Sequence, residues 1–221
     1  MAWLAPEAIP RTLLAPLAEP ADLADALGLL AAYNMITLTS HTITVHRLVQ
    51  ALARTPDPRH PDDTGDPHRQ PSDIHTARDH TTQLLNQARP TTAGDPAEWP
   101  TWRTLLPHID ALTNHTPPDT ATTVTAHLLN QTGLFLEGQG AIGRAIAYCQ
   151  HALTAYERVL GADHPDTLTS RNDLAGAYRS AGDLGRAIPL FEQTLTDCER
   201  VLGADHPLTK TVRGNLEVAR K

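Results

Sequence analysis

Arg158-Val-Leu-Gly-Ala-Asp-His-Pro165 returns unchanged as Arg200-Val-Leu-Gly-Ala-Asp-His-Pro207, a shift of 42 residues. The same shift carries Gly140 onto Gly182, Gly143-Arg-Ala-Ile146 onto Gly185-Arg-Ala-Ile188, Leu153 onto Leu195, Glu157 onto Glu199, Asn130 onto Asn172 and Leu174 onto Leu216. A period of this length marks a repeat architecture, in which each unit buries its apolar face only by stacking on the next.

Each unit reads as two helices. In the second copy they cover about residues 166–180 and 183–202, broken at Ala181-Gly182-Asp183, where glycine permits a tight turn. Asp163-His164-Pro165 supplies an N-cap and a first-turn proline, and Gly161 closes the preceding helix. Leu174, Tyr178, Ala187, Phe191 and Leu195 recur at spacings that place them between paired helices. The pattern predicts one pair at 121–160, a second at 166–202 and a lone first helix from 208. It predicts no strand in 121–221, and breaks near 139–141, 161–164, 181–183 and 203–206. Copy one departs at Thr132 and Cys149, where copy two has Leu174 and Phe191.

Small Ala175 and Ala187, aromatic Tyr178 and Phe191, and Gly182 stand at the spacing of tetratricopeptide repeats. The usual unit has 34 residues; the longer unit here, with Leu-Gly-Ala-Asp-His-Pro, resembles the kinesin-light-chain type. The resemblance implies a protein or peptide partner held in the groove of the stacked first helices, at His127, Asn130, Thr169, Asn172, Arg179 and Thr211. Asn130 and Asn172 stand out, because an amide offers both donor and acceptor to an extended backbone. The competing reading is that they bridge neighbouring helices.

Upstream, Ser72–Arg89 and Thr101–His115 read as two further helices, a hairpin over 72–119 leading into the array at 120–221. Leu84, Leu85, Leu105, Leu106, Ile109 and Leu112 are available for one apolar interface. Residues 55–71, rich in Pro, Asp and Gly, are expected as an exposed linker. Residues 1–54 show apolar helix patterns near 9–18 and 21–33, then a hairpin of Met35–Leu38 and Thr42–Val45, then a helix at 46–54. In the hairpin Ile36/Leu38 and Ile43/Val45 alternate with threonines. This order is that of a winged helix cut short at its start. The expected fold class is mainly α: a small winged helix with one β-hairpin, followed by an α-solenoid of tetratricopeptide helix pairs.

A winged unit ending in Val45-His46-Arg47-Leu48-Val49-Gln50, a linker and long-period repeats together resemble the C-terminal part of STAND-class signalling ATPases with an NB-ARC module. The resemblance implies a sensor segment whose nucleotide-binding domain lies upstream. His46 matches the histidine of that family's Met-His-Asp motif, which touches bound ADP, with Val45 and Arg47 in place of Met and Asp. For this chain alone no cofactor is expected, ADP entering only with an upstream domain. A histidine capping a helix is the competing reading.

Composition excludes several functions. The only lysines are Lys210 and Lys221, so nothing earlier supplies the phosphate-facing ammonium of a Walker A loop. Residues 1–119 carry 8 Arg against 14 Asp and Glu, and residues 120–221 carry 10 Lys and Arg against 11 Asp and Glu, so neither half is basic. The helix of the winged unit that would read DNA carries Asp22 and Asp25 and no Arg or Lys, which disfavours nucleic acid and a DNA-binding regulator. Among 12 histidines, His75 and His80 are five apart, and His108 and His115 share a face two turns apart but read as solvated surface, so no metal site is expected. Gly-x-Ser-x-Gly and His-Glu-x-x-His are absent; no catalytic residue is expected and the chain reads as a non-enzyme. Cys149 and Cys198 read as reduced core thiols. No secretory signal and no long apolar run are present, which points to the cytoplasm and away from a membrane. The last helix, from Thr209, is expected to leave Val212, Leu216 and Val218 partly bare, an uncapped end through which copies could associate.

Overall fold

The computed structural model describes residues 1–59 and 66–221, and the chain divides into two units. The first comprises Met1–Arg89 and Pro100–Thr116, the second Pro90–Trp99 and Pro117–Lys221.

In the second unit, five helices follow the period of the sequence: α5 (Thr123–Gly138), α6 (Ile142–Leu160), α7 (Pro165–Ser180), α8 (Leu184–Val201) and α9 (Pro207–Ala219). No strand occurs in 121–221, as the pattern predicts. The joints show why the octet repeats. Gly161 and Gly203 have φ of 88° and 91°, a left-handed conformation that side-chain-bearing residues resist, and they end α6 and the segment after α8. His164 Nδ1 accepts from the Asp166 backbone N–H at 3.1 Å, and His206 Nδ1 accepts from that of Leu208 at 3.2 Å, so histidine is the cap in both copies. Pro165 and Pro207 follow in the first turn, where the missing N–H costs nothing. Thr167 and Thr209 each donate to the carbonyl of the glycine six residues back, at 2.8 Å in both. Arg158 reaches the Ala121 carbonyl and Arg200 reaches Asp163, each 37 residues back. The octet is a structural joint.

Between the helices lies a core of Leu168, Leu174, Ala175, Tyr178, Ala187, Phe191 and Cys198, closed on one side by Cys149 and on the other by Val212, Leu216 and Ala219. Copy one compensates for its departures. Cys149 stands where Phe191 does, while Phe135 stands where Ala177 does, and both Phe135 and Phe191 are fully buried. The aromatic volume has moved from the second helix to the first. Gly133 is required by this arrangement, since a Cβ there would sit 2.5 Å from Cys149 Sγ. Both cysteines are free and buried, and burial pushes the Cys149 thiol up to about 12. The expectation of a bare last helix is corrected: Val212 and Leu216 are buried against the preceding pair and only Val218 is exposed, at 57%.

In the first unit, β1 (Ile9–Pro10), α1 (Pro20–Ala32), β2 (Ile36–Leu38), β3 (Thr42–Val45) and α2 (Arg47–Ala53) precede α3 (Pro71–Ala88) and α4 (Trp99–His115). The strands form one antiparallel sheet in the order β1-β3-β2, with Leu38 and Ile9 both opposite Ile43. The hairpin is as expected, and Ile9, Ile36, Ile43 and Val45 supply its buried face. The helix expected near 9–18 is instead β1 followed by a 3-10 helix over Arg11–Leu17; Pro10 and Pro16 remove the N–H groups a longer α-helix needs. Residues of the 72–119 hairpin up to Arg89, and again from Pro100 to Thr116, fall in this first unit.

Two local findings depart from the sequence reading. Residues 60–65 of the expected linker lie outside the described residues, but its flanks are tied by Asp57, which is buried. It accepts from the Arg59 side chain, at 3.1 and 2.9 Å, and from the backbone N–H groups of Arg59 and Asp66, and these bonds hold its carboxyl well below the usual range. His108, expected on a solvated face, is 1% exposed because α4 turns it inward with Trp102, Leu105, Ile109 and Leu112. Its ring hydrogen-bonds the Ala8 backbone, its Nδ1 has no partner among the described residues, and burial lowers its pKa. His115 on the same helix is exposed, so the two do not form a pair.

Candidate functional site: the strip of first helices

α5, α7 and α9 lie side by side, and polar rungs join them at one recurrent offset. Asn130 Nδ2 donates to Asp173 Oδ2 at 2.8 Å, Ser180 Oγ donates to Glu137 Oε1 at 2.6 Å, and Asn215 Nδ2 donates to Asn172 Oδ1 at 2.9 Å. Each rung joins residues 43 positions apart, one more than the repeat itself. Ser170 adds a bond to Asn130 Oδ1 at 2.9 Å, and Asn172 Nδ2 reaches Asp173 Oδ1 at 3.3 Å.

The six residues singled out from sequence divide by role. Asn130 and Asn172 are buried, at 5% and 7%, and commit their amides to these rungs, the bridging arrangement that the sequence left open. Thr169 and Thr211 are exposed, and each hydroxyl donates to a carbonyl one turn back, Pro165 and Pro207. His127 is half-buried on α5. Arg179 is half-buried near the end of α7, and its guanidinium has no hydrogen bond or ion pair among the described residues. His46, in the first unit, is exposed and caps α2, its Nδ1 accepting from the Leu48 N–H at 3.3 Å.

Sequence reasoning missed Asp173 and the glycines. Asp173 holds two amides at the centre of the strip; burial raises its pKa, against the lowering effect of those bonds, and Glu137 adds to the rise. Gly138, Gly176 and Gly214 stand 38 residues apart, on α5, α7 and α9, and a Cβ at each would meet nothing within 4 Å. Each step crosses one helix and moves back one turn, a diagonal line without side chains. A glycine period four short of the repeat was the available signal.

Residues 124–197 match the family model described as tetratricopeptide repeat. That stretch is tetratricopeptide-repeat sequence. Its helix pairs, glycine turns and stacked core are those the match leads one to expect. Among solved structures, the chain resembles the nearly identical TPR-like repeats of a Podosopora anserina protein assigned as a kinesin light chain. Identity is 16%, 67% of this chain and 78% of that chain are covered, and the TM-score is 0.47. A singly substituted form of the same repeats gives 16% identity, coverage of 67% and 77%, and a TM-score of 0.46. BtubC (BKLC) from P. vanneervenii gives 14% identity, coverage of 66% and 63%, and a TM-score of 0.42. No curated protein matches the chain.

Proposed function

We propose that the chain is a non-catalytic binding segment, and that the strip of α5, α7 and α9 holds an extended segment of a protein partner. The open glycine line carries this reading. Backbone can approach a helix closely only where side chains are missing, and Gly138, Gly176 and Gly214 clear such a path beside Arg179, Glu137 and Asp173. The rungs fix the three helices, so little ordering is left to pay on binding. Asn130 and Asn172 act here by positioning, with Thr169, Thr211 and His127 at the edges. Panning a displayed random-peptide library against the chain tests this. Enriched peptides should lose binding to a Gly176→Phe variant that keeps its thermal stability; peptides that bind this variant unchanged place the site elsewhere.

On the resemblance of its order of elements, the chain is read as the C-terminal sensor segment of a cytoplasmic STAND-like signalling protein, with residues 1–54 as its winged helix. The succession β1, α1, hairpin, α2 supports that placement. A second reading, a nucleotide-responsive switch, draws on His46. Its Nδ1 is an acceptor in the cap, which leaves Nε2–H as an exposed donor that could meet a phosphate brought by an upstream domain. ADP affinity that appears on joining such a domain, and falls with His46→Ala, is the outcome this reading requires. A DNA-binding role is opposed by exposed Asp22 and Asp25 on α1. Among the described residues no helix is long and apolar enough to cross a membrane, and no cluster of His, Cys, Asp or Glu could hold a metal ion.

A further inference from the structure

The strip of first helices is not evenly charged. Glu137 and Arg179 occupy equivalent positions, 42 residues apart, in the last turns of α5 and α7. The repeat therefore sets opposite charges one helix apart. Ser180 of α7 donates to Glu137 at 2.6 Å, which places that carboxylate in the seam between α5 and α7. Arg179 belongs to the next seam. Asn172, two turns before it on the same face of α7, receives the amide of Asn215 from α9.

Neither charge is neutralised within the unit. Glu137 accepts from a hydroxyl, and Arg179 has no hydrogen bond or ion pair among the described residues. Asp173 strengthens the negative side. Asn130 of α5 donates to it, so it lies in the first seam with Glu137, and its other oxygen accepts from the neutral amide of Asn172. Glu137 helps to raise the pKa of Asp173, so the two carboxylates repel each other, and neither forms an ion pair among the described residues. Gly176 stands between the two signs, three residues after Asp173 and three before Arg179, and its open face lets a partner's backbone down onto α7 there. Packed helices lie about 8–10 Å apart. A polyproline II segment returns side chains to one face every third residue, about 9 Å on, and so spans one seam. The two-residue return of a strand, about 7 Å, falls short.

We infer that the partner segment carries a basic and an acidic residue three positions apart, the basic one over Glu137 and Asp173 and the acidic one over Arg179. This rests on the strip being the binding site, and the test keeps the two apart. Peptides enriched from a displayed random library on the full chain are sorted by their loss of binding to Gly176→Phe, the marker of the strip. Those that lose it should share Lys or Arg three positions from Asp or Glu, in one fixed order. For one such peptide, Glu137→Gln, which keeps an acceptor for Ser180, and Arg179→Gln should each weaken binding about tenfold, read by fluorescence anisotropy. Joining Glu137→Arg with Arg179→Glu should reject that peptide and accept one with its two charges exchanged. Peptides that are lost with Gly176→Phe yet lack the charge pair, or that ignore both neutral variants, would overturn this inference and leave the strip as the site. A library that yields no peptide sensitive to Gly176→Phe would overturn the strip as the site, and this inference with it.

Discussion

Arg171 and Arg213 occupy equivalent positions one repeat apart, and each reaches the glutamate fourteen residues before it, yet they should differ greatly in what they contribute. Arg171 is 5% exposed in its side chain and bonds Asp197 at 2.8 Å and Glu157 at 3.3 Å, tying α7 to both α8 and α6. Arg213 is 38% exposed and bonds Glu199 at 2.8 Å. Methionine keeps most of the stem and removes the charge. Removing one partner of a buried ion pair costs about 3–5 kcal/mol. Glu157 and Asp197 are 44% and 22% exposed and can turn partly to water, so Arg171→Met should cost about 2–3 kcal/mol. Arg213→Met should cost less than about 1 kcal/mol, as exposed pairs do. In urea at neutral pH, with a slope of about 1–3 kcal/mol/M, the first change should lower the midpoint by roughly 1 M and the second by a few tenths. Added salt should erase the smaller effect and spare the larger. Equal shifts for the two variants, or no shift for Arg171→Met, would show that burial in this core does not set the strength of the pair.

Gly133→Ala should cost about 1–3 kcal/mol, because its methyl meets Cys149 Sγ and the Ala145 carbonyl; Cys149→Ala in the same chain should recover part of that loss, read as the thermal midpoint of the double variant. Asn172→Ala breaks the bonds to Asp173 and Asn215 and should cost about 1–2 kcal/mol, against about 2–5 for Leu174→Ala in the core; equal losses in urea titrations would contradict the ranking. The two units should answer acid in opposite directions. His108 has a lowered pKa, so its neutral form stabilises the first unit fully above the ordinary histidine value of 6.5, and this is lost as pH falls through the window beneath it. Asp173 has a raised pKa, so its contribution favours the second unit below the ordinary aspartate value of 3.8 and is lost as pH rises through its folded value. His108→Gln and Asp173→Asn should each flatten the pH profile of hydrogen exchange in their own unit, and profiles that keep their slope would refute the assignment.

The repeat half was legible because its information is local and doubled. Gly161, His164 and Pro165 each fix a joint through backbone chemistry that a few neighbouring residues determine, and Gly203, His206 and Pro207 repeat it. The strip was harder to read, because the role of an amide depends on what stands 43 residues away: Asn172 bonds Asp173 on its own helix, but its carbonyl is taken by Asn215 on another. The same holds for His108: the sequence sets it beside exposed His115, while its burial also depends on the Ala8 backbone, which arrives from a distant segment. Short 3-10 turns such as Arg11–Leu17 also escape periodicity, since two prolines override an apolar pattern that fits an α-helix.

The joint between repeats carries its own bonds: a glycine stop, a histidine start, a threonine tether and an arginine reaching back 37 residues. Every one of these is made within the identical octet or from it to a fixed offset. Unequal crossing-over between the two octets would therefore splice ends that already match. A chain lengthened or shortened in this way would change by one whole unit, with each seam sealed by the same interactions. Natural variation in such a protein should run through the number of units more readily than through their interior, where Phe135, Gly133 and Cys149 must change together.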